Sequence, residues 1–481
     1  MKILVLNPSS KESKNVVRDL IYGCWCKGKR IGGATVPPLN LLYVATTIKE
    51  QGHDLKFIDA AAEQIPLENI KKIIKDFDVV VISTSTMSFN EDAGILKELK
   101  KSNPALITII FGSHPTFMPE AALNNKAIDI IVRREPEFII RDLIDRLDKK
   151  KDDWKKVKGI GYRQGKKIIL NELYPFIKNL DKIPIPDRTI LPKNIDYFNP
   201  IIKRIPYTTA MTGRGCPGKC TFCTVPSFYG GKNRYRSAKN VVEELEIIQD
   251  LGYKEVYFRD ETFTAYRERN ETICKEIIKR KMDLTWICNA RVGMITKDMM
   301  KLMKKAGCHM IKFGVESGNQ QILNNVKKGI TVENTRLNFK WAHEVGIDTH
   351  AHTMLGSPGE TKETIEQTIK FINEIDPTTA TFAICTPYAG TPLFDDVIKK
   401  HKEIKDGSAL NLASVHDTSF FNQYFTDLKP KELEEYLKKA YRSFYFRPTY
   451  MLKRLIKINN IDELKRITIA ASNVFQFGMG Q

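Results

Sequence analysis

Three cysteines lie within eight residues in the stretch "GCPGKCTFC", at positions 216, 220 and 223. Thiolates grouped in this way hold zinc or an iron–sulfur cluster. A structural zinc site needs four closed ligands, and no fourth Cys or His lies nearby at finger-like spacing. Three thiolates on a 4Fe–4S cluster leave one iron open to a further ligand. The spacing therefore favours a cluster on Cys216, Cys220 and Cys223 over zinc or over inert core thiols.

The other six cysteines are sparse in a chain of 481 residues and do not form a disulfide framework, which favours a reducing, cytoplasmic setting. Cys24 and Cys26 in "GCWCKGKRIGG" are open to three interpretations: a redox pair, extra cluster ligands, or a packed entry loop. The N-terminus lacks the features of a signal peptide, and no apolar run is long enough for a membrane-spanning helix.

A net charge of +19 raises the question of nucleic-acid binding. The lysines, however, are spread along predicted helical faces beside acids, which is typical of solvated surfaces. We therefore expect no nucleic-acid partner. Lys219 and Arg214, inside and beside the cysteine stretch, are instead expected to lie near the cluster and to influence its reduction potential.

The elements that must position the cysteines fall into two α/β alternations. Residues 1–150 contain five apolar β-branched runs separated by amphipathic helices, which predicts an open parallel sheet covered on both faces. Residues 151–202 contain a small hairpin and a proline-rich linker. Residues 203–394 contain six further strand–helix units, which predict a complete or partial barrel with its active site at the strand C-termini. Residues 395–481 read as a helical domain.

The cysteine stretch directly follows the first strand of the second alternation, and here the sequence resembles the radical S-adenosylmethionine (SAM) enzymes, whose hallmark is this spacing in this loop. Phe222 occupies the aromatic position common in that family. The resemblance implies a Rossmann-like first domain followed by a partial (β/α)6 barrel of the TIM type. It also implies that the open iron chelates SAM and that one electron cleaves SAM to a 5′-deoxyadenosyl radical.

Further motifs, one at each later strand end, support this resemblance. In "FRDETFT", the resemblance places Asp260, Glu261 and Thr262 near the methionine amino group, because carboxylates suit an ammonium. In "GVESG" it assigns Glu316 and Ser317 to the ribose hydroxyls, and in "LGSPGET" it assigns Gly356 and Gly359 to close approach of the adenine. Two substrate or catalytic candidates are added, a carboxylate-pairing arginine and a tyrosine at the barrel mouth: Arg291 and Tyr388.

The first domain resembles the cobalamin-binding domain found ahead of the barrel in one large subclass of the family. "FIDAAAEQ" stands where corrinoid proteins with a lower axial ligand carry Asp-x-His-x-x-Gly, but no His follows Asp59. The implied cobalamin is therefore base-off, without a protein imidazole. The residues that the resemblance places against it are Asp59, Ala60, Ser83, Thr84, Ser85, Gly112, Ser113 and His114, although His114 is not expected to ligate cobalt.

The resemblance implies a cobalamin-dependent C-methyltransferase that acts on an unactivated carbon. One SAM would yield the radical that abstracts hydrogen, methylcobalamin would donate the methyl group, and a second SAM would remethylate the reduced cobalt. Ring formation without net methylation is the alternative within enzymes. A non-catalytic cluster or corrinoid sensor on nucleic acid is the alternative from another class.

The partners are the least determined part of the sequence. The resemblance implies an external one-electron donor of the flavodoxin or ferredoxin type. The substrate is open among a lipid, a peptide and a small natural product. The tail "YRSFYFRPTYMLKRLIKINN" interleaves aromatics with bases, so the C-terminal helices are either ordinary packing helices or a site of peripheral membrane contact.

Overall fold

The first sheet consists of five parallel strands extended by an antiparallel hairpin, in the order β2-β1-β3-β4-β5-β6-β7. The computed structural model describes residues 1–11, 18, 34–149, 152–193, 195, 197–408, 422–456, 458 and 461–479, so Cys24 and Cys26 lie outside the described residues. The parallel strands are β1 (Lys2–Asn7), β2 (Asp54–Asp59), β3 (Val79–Thr84), β4 (Ile107–Gly112) and β5 (Ile130–Val132).

Helices cover both faces of this sheet, as the apolar strands predict. They are α1 (Leu39–Glu50), α2 (Ala60–Glu63), α3 (Leu67–Ile73), α4 (Phe89–Ser102), α5 (Ser113–Phe117), α6 (Pro119–Asn124) and α7 (Pro136–Asp148). Along β1, Ile3 and Val5 pack in the core that includes α1 and α7, whereas Leu4 and Leu6 pack in the core that includes α3 and α4. This alternation buries each strand on both sides and confirms the predicted Rossmann-like layer.

The hairpin assigned to the linker belongs instead to the first sheet. Strand β6 (Ile160–Gln164) pairs antiparallel with β5, and β7 (Lys167–Leu170) pairs with β6. The physical reason is that β5 would otherwise leave an unpaired edge of backbone hydrogen-bonding groups. The first α/β unit therefore extends to about residue 170 rather than 150, and the other domain boundaries stay predictions.

The second sheet has six parallel strands in the order β15-β14-β13-β12-β11-β8. They are β8 (Tyr207–Ala210), β11 (Glu255–Phe258), β12 (Thr285–Ala290), β13 (Cys308–Glu316), β14 (Asp348–Leu355) and β15 (Thr379–Ile384). Strands β8 and β15 lie at opposite ends of this order, so the barrel is partial. The predicted α/β class and (β/α)6 arrangement are confirmed.

Helices surround the outer face of the second sheet. After β8, two strands of two residues each, β9 (Gly213–Arg214) and β10 (Arg234–Tyr235), pair in an antiparallel hairpin. The helices are α8 (Val225–Tyr229), α9 (Ala238–Asp250), α10 (Arg267–Lys279), α11 (Lys297–Lys305), α12 (Gln320–Asn325), α13 (Val332–Val345), α14 (Lys362–Ile375) and α15 (Pro392–Lys400). The C-terminal helices are α16 (Pro430–Tyr445), α17 (Pro448–Ile456) and α18 (Ile461–Met479).

The proline-rich linker closes the bottom of the barrel. Tyr197 and Ile202 are buried against inward-facing residues of four strands, namely Tyr207, Tyr257, Ile287 and Met310. The Tyr197 hydroxyl also donates to Asp59 Oδ2 at 2.9 Å, at the end of β2 in the first sheet. The linker therefore joins the floor of the barrel to the first domain.

Candidate active site

The three cysteines of the motif lie in one loop beyond the end of β8. All three thiols are free; Cys220 is buried, whereas Cys216 and Cys223 are half-buried. The loop turns at Gly215, where φ is +94° and an added Cβ would lie 2.3 Å from the carbonyl oxygen of Lys232. Only glycine fits this approach of two backbones, so the residue before Cys216 fixes where the loop begins.

The donor set of this loop, three thiols within eight residues, is of the type that holds an iron–sulfur cluster. Among the described residues, no three His, Cys, Asp or Glu side chains are close enough to hold one metal ion. Burial, with smaller contributions from the charges on Cys220 and Cys216, raises the pKa of Cys223 to about 12. Thiolates at these positions therefore need a cationic partner, which the irons of a cluster would supply.

The two carboxylates after β11 have different surroundings. Asp260 accepts hydrogen bonds from the backbone N–H groups of Thr212 and Gly213, at 2.6 and 3.2 Å, and from the Thr212 hydroxyl. Its oxygens thus hold the start of the cysteine loop. The expected contact of Asp260 with SAM stays a prediction, since the contacts of its carboxylate in this structure are to the protein.

Glu261 has an acceptor to spare. Its Oε2 accepts from the Gly215 N–H at 2.8 Å, whereas its Oε1 is buried without a hydrogen-bond partner. Burial, and then the adjacent Asp260, raise the pKa of Glu261 to about 8. An orphaned carboxylate oxygen beside the cysteine loop fits the ammonium group of SAM, which would stabilise the charged form. Thr262 contacts the loop directly, with its Oγ1 3.4 Å from the Sγ of Cys216.

Glu316 is held in an unusual backbone conformation at the end of β13. Its φ is +64°, and the register between β13 and β14 shifts at this point, between Gly314 and Glu316. Such a bulge re-aims a side chain, and non-glycine residues at positive φ are concentrated at functional sites. The buried Glu316 carboxylate accepts from the Lys328 ammonium, which also lies 5.9 Å from the centroid of the Phe222 ring.

Lys328 is a site residue that the sequence analysis missed. It is buried between Glu316 and the cysteine loop, and these neighbouring negative groups outweigh desolvation and raise its pKa. The sequence shows only a Lys-Lys-Gly after α12, which reads as an exposed helix end. Nothing in that local pattern indicates that one lysine turns inward.

Three residues expected to contact the nucleoside of SAM make protein contacts instead. The buried Ser317 hydroxyl is 3.0 Å from Thr368 Oγ1, in α14, which leaves no exposed hydroxyl for a ribose. Cβ atoms added at Gly356 and Gly359 would lie 2.8 Å from Asn422 Nδ2 and 2.7 Å from Asn325 Nδ2. The two glycines therefore make room for amide side chains of the protein, and their contact with the adenine stays a prediction.

Arg291 lies against the cysteine loop, as the sequence predicts for a site residue. Its Nη1 donates to Cys220 Sγ at 3.7 Å, and an added Cβ at Gly218 would lie 2.8 Å from the same nitrogen. The missing side chain at position 218 thus lets the guanidinium reach the thiols. Tyr388 is half-buried in the loop before α15, where its carbonyl accepts from Thr391 N and Oγ1.

Polar side chains in the interior of the barrel form two rows beneath the cysteine loop. The register of β12 to β15 aligns Asn289, Lys312, His350 and Thr379 across four strands. One level closer to the mouth, His352 aligns with Thr381, whose Oγ1 lies 2.9 Å from His352 Nδ1 and 3.1 Å from His350 Nε2. Burial, and then the charge of Lys312 or the other imidazole, lower both histidine pKa values.

The strand ends of the first sheet place the cobalamin candidates together, but most of their polar atoms bond within the protein. Asp59 accepts from Asn7, Ala62 N and Tyr197, and begins α2 at Ala60. The hydroxyls of Ser83 and Thr84 donate to the Arg18 carbonyl and to Asp92, and Ser85 N donates to the Ser88 hydroxyl. Of these candidates, Asp59, Ser83 and Thr84 therefore support the strand ends from inside.

A corrinoid would contact the remaining candidates at the end of β4. Gly112 has φ of +126°, and an added Cβ would collide with the Thr84 carbonyl at 2.1 Å, so the two strand ends lie backbone to backbone. Ser113 follows at the start of α5. These small residues at the carboxyl edge fit a flat ligand above the sheet.

His114 is buried rather than directed to a ligand. Its ring stacks on Phe89 with centroids 4.0 Å apart, and neither ring nitrogen has a hydrogen-bond partner. Desolvation lowers its pKa to about 4, although Asp406 Oδ2 lies 3.6 Å from Nε2. That His114 contacts cobalamin without ligating cobalt stays a prediction, and its side chain is fully buried in this structure.

Buried ion pairs connect the cysteine loop to the first domain. Arg214 donates to Glu135 at 2.9 Å and to Glu137, both at the start of α7, and Arg234 also pairs with Glu135. The expected influence of Arg214 on the cluster is corrected, because two carboxylates of the other domain neutralise its charge. Lys219, by contrast, is exposed in the loop between Cys216 and Cys220.

Apolar packing strengthens the same junction. Val225, Phe228 and Tyr229 of α8, which directly follows Cys223, are part of the hydrophobic core under α1 and α7 of the first sheet. Cys216 and Cys223 pack against that core. The cysteine loop is thus seated on the first domain, not only on the barrel.

Comparisons with known proteins agree with this geometry. The model of the radical SAM superfamily matches residues 211–372, and that of the B12 binding domain matches residues 32–144. The chain is 34% identical to an uncharacterized methyltransferase of Pyrococcus horikoshii over 89% of this chain and 92% of that protein. It is 29% identical to the anaerobic magnesium-protoporphyrin IX monomethyl ester cyclase of Rubrivivax gelatinosus, over 87% and 76%.

The fold is shared with a solved structure. The radical SAM methyltransferase TsrM from Kitasatospora setae, solved with cobalamin and a 4Fe–4S cluster, superposes with a TM-score of 0.69 over 100% of both chains at 14% identity. The cofactors that accompany the two matched domains are a 4Fe–4S cluster, SAM and cobalamin. The chain belongs to the radical SAM superfamily and, within it, to the enzymes that carry an N-terminal cobalamin-binding domain.

Proposed function

We propose that this enzyme is a C-methyltransferase that replaces a hydrogen on an unactivated carbon by a methyl group. The observation that carries the proposal is the seating of the cysteine loop on the first domain, through α8 and the Arg214 ion pairs. Methyl transfer to a substrate radical requires both cofactors to face one substrate, and a junction of this kind would bring the two cofactors together. The methyltransferase named among the relatives, from Pyrococcus horikoshii, supports the same reaction class.

Different residues of the chain would bind the cluster and the separate groups of SAM. Cys216, Cys220 and Cys223 would hold the cluster, which supplies the electron for SAM cleavage. Glu261 would accept a hydrogen bond from the SAM ammonium with its free Oε1. Arg291, beside Cys220, suits the SAM carboxylate as a planar donor, and Glu316, fixed by Lys328, suits a hydroxyl of the ribose.

The substrate would occupy the barrel interior between the cysteine loop and the floor formed by Tyr197 and Ile202. The polar row closer to the mouth offers the substrate His352, a neutral imidazole whose Nδ1 is fixed by Thr381. The row farther from the mouth offers Lys312, whose ammonium is 2.9 Å from the Tyr257 hydroxyl. A substrate with a polar or anionic end directed downward would hold its reacting carbon near the mouth. Closure by the linker excludes water, which would compete for the radical.

The proposal is tested by following the methyl group. Protein reconstituted with cluster and cobalamin is reduced and supplied with trideuteromethyl-labelled SAM. We expect S-adenosylhomocysteine and a labelled methyl group on the corrinoid, followed by label in the product when a substrate is supplied. Formation of 5′-deoxyadenosine without S-adenosylhomocysteine would contradict methylation. The control is Cys223→Ala, which removes one cluster ligand and should abolish 5′-deoxyadenosine.

Ring formation without net methylation is the second candidate, because one relative is named as an anaerobic ester cyclase. The same labelling experiment separates the two reactions: cyclisation leaves the label on SAM-derived methionine. Failure of the reduced protein to cleave SAM at all would favour the third candidate, a non-catalytic sensor.

The cluster needs electrons from outside the chain, since enzymes of this superfamily use an external donor. We infer a small one-electron carrier of the flavodoxin or ferredoxin type. Lys219 is exposed in the cysteine loop and would face an acidic carrier of this kind. Lys219→Glu should slow SAM cleavage driven by such a carrier and leave cleavage driven by dithionite unchanged.

A further inference from the structure

Helix α18 buries two charged side chains and exposes several apolar ones. Its buried residues include Glu463 and Arg466, whereas Ile461 is 72% exposed and Phe475 is 54% exposed. Surface helices normally turn charges to water and apolar residues to the core. An outward apolar stripe therefore marks a surface that is covered by something else.

The inward contacts of α18 fix it in this orientation. Arg466 Nη2 donates to the Lys203 carbonyl at 3.1 Å, below the start of β8. Val474 joins the core of the barrel domain, and Phe477 packs edge-on against Tyr441 of α16 with centroids 5.1 Å apart. Rotating the helix to bury its apolar stripe would break all of these contacts.

Helix α17 extends the same apolar surface, and none of its residues is buried. It is held on one side, where the Tyr450 hydroxyl donates to the Thr378 carbonyl at 3.1 Å and Lys453 pairs with Asp376 at 2.8 Å. Helix α17 therefore packs on one side only, and its other side is exposed. The C-terminal apolar face, as we define it, comprises the exposed residues Met451, Leu452, Leu455, Ile456, Ile461, Leu464, Ile469, Phe475 and Met479.

The charges beside the C-terminal apolar face indicate what covers it. Arg454 and Lys465 lie on the same two helices, and Asp462 is the one exposed acid among their described residues. A second copy of the chain would bring these bases against each other, whereas an anionic surface would attract them. None of the helices in the described ranges has the length and apolar character needed to cross a bilayer.

We propose that the C-terminal apolar face docks the enzyme on the surface of a bilayer that contains anionic lipids. The apolar side chains would enter the headgroup boundary and the bases would pair with lipid headgroups, as in interfacial helices. Thr378 and Lys203 precede β15 and β8, so the face lies at the end of the barrel opposite the cysteine loop. Docking thus leaves the mouth of the active site directed away from the lipid.

The test is co-sedimentation of the full chain with vesicles. We expect the wild-type protein to sediment with vesicles of phosphatidylcholine and phosphatidylglycerol in equal parts, and at least about tenfold less with phosphatidylcholine alone. The triple variant Leu452→Asn, Leu455→Asn, Ile456→Asn should lose at least about tenfold in binding to the mixed vesicles. Its control carries Ile247→Asn and Leu251→Asn, which replace exposed apolar residues near the end of α9 and directly after it, and should bind as the wild type does.

Two further measurements keep the result unambiguous. SAM cleavage should be unchanged in the triple variant, because its three residues lie far from the cysteine loop. Lost cleavage would show that the triple variant is misfolded. Vesicle binding would then be measured instead on the double variant Arg454→Gln, Lys465→Gln. Equal binding of wild type and variants to mixed vesicles would overturn the proposal. So would a wild-type dimer, seen by sedimentation velocity, that the triple variant dissociates.

Discussion

At the scale of single residues, the two carboxylates after β11 show how adjacent acids acquire different roles. Asp260 is saturated by Thr212 and Gly213 and so shapes the loop, whereas Glu261 retains a buried free oxygen. A charge-assisted hydrogen bond to that oxygen contributes about 1.5–3 kcal/mol. Glu261 is therefore the residue whose loss should affect SAM directly.

Glu261→Gln should raise the dissociation constant of SAM at least about tenfold while the cluster is retained. The measurement is equilibrium dialysis on protein with its iron content determined. Asp260→Asn is the matched comparison and should lower cluster retention, because it loosens the backbone before Cys216. The opposite pattern, with SAM affinity lost in Asp260→Asn alone, would reverse the two assignments.

The buried carboxyl group of Glu360 should make the free energy of unfolding depend on pH. Burial, opposed by hydrogen bonds from Ser357 and Gly356 N–H groups, raises its pKa from 4.5 to about 7. Since the folded state disfavours the ionised carboxyl, its contribution to stability is full below about pH 4.5 and declines as the pH rises through about 7. Denaturant unfolding should show Glu360→Gln gaining up to about 3 kcal/mol over the wild type between about pH 5 and pH 8.

The control for this pH effect is Glu363→Gln, because Glu363 is a fully exposed acid in the same segment. It should follow the wild-type pH dependence. A Glu360→Gln protein that loses stability relative to the wild type as the pH rises would show that the carboxylate, not its protonated form, is favoured in the fold.

The residue types of the site could be predicted from the sequence better than their contacts. Cys216, Cys220 and Cys223 form a local pattern, and Arg291 follows a strand end, so both are visible without tertiary structure. Lys328 and the saturation of Asp260 depend on which side chains meet across strands. The sequence of Gly356 and Gly359 does not reveal the neighbouring amide side chains, because a tight turn is required equally for a ligand and for an amide side chain.

At the scale of elements, the junction between α7 and the β9–β10 hairpin is the most consequential contact. Arg214, Glu135 and Glu137 are almost fully buried there, so each charge depends on its partners. The sequence alone indicates only that Arg214 lies near the cluster, because pairs of charges that are distant in the chain, such as Arg214 with Glu135 and Glu137, carry no local signal. The two α/β layers with parallel strands, by contrast, could be predicted from the regular alternation of apolar runs.

Glu137→Gln should destabilise the protein strongly, since it leaves the Arg214 charge partly unpaired in the interior. Breaking a buried pair costs about 3–5 kcal/mol, and the thermal unfolding midpoint should fall accordingly. Glu271→Gln breaks the exposed pair with Arg267 and should leave the midpoint unchanged. Equal midpoints for both variants would show that the buried network does not join the domains.

At the scale of the whole molecule, the linker determines how isolated the reaction is. Tyr197 and Ile202 close the barrel from below, and the Tyr197 hydroxyl binds the first domain. The composition of the chain between the two α/β units predicts a linker. It does not show that this linker covers one end of the barrel. Its position follows from the fold: the open bottom of a partial barrel exposes apolar side chains that must be covered.

Ile202→Ala should cost about 2–5 kcal/mol in the free energy of unfolding and open the floor of the barrel. Water and small hydrogen donors would then reach the substrate space, so more 5′-deoxyadenosine should form for each product molecule. Ile205→Ala, which truncates a nearby isoleucine that is 44% exposed, should change neither quantity. The coupling ratio is measured by chromatography of both products; an unchanged ratio in Ile202→Ala would contradict the role of the floor.

The ion pairs between the two domains also limit how such enzymes can be recombined. Glu135 and Glu137 belong to the corrinoid domain, while Arg214 and Arg234 belong to the barrel. A chimaera that joins this barrel to a foreign corrinoid domain without both acids would bury two unbalanced guanidinium groups beside the cluster loop. The two domains can therefore be exchanged only as a matched pair. A chimaera that keeps this cysteine motif must also keep the start of α7.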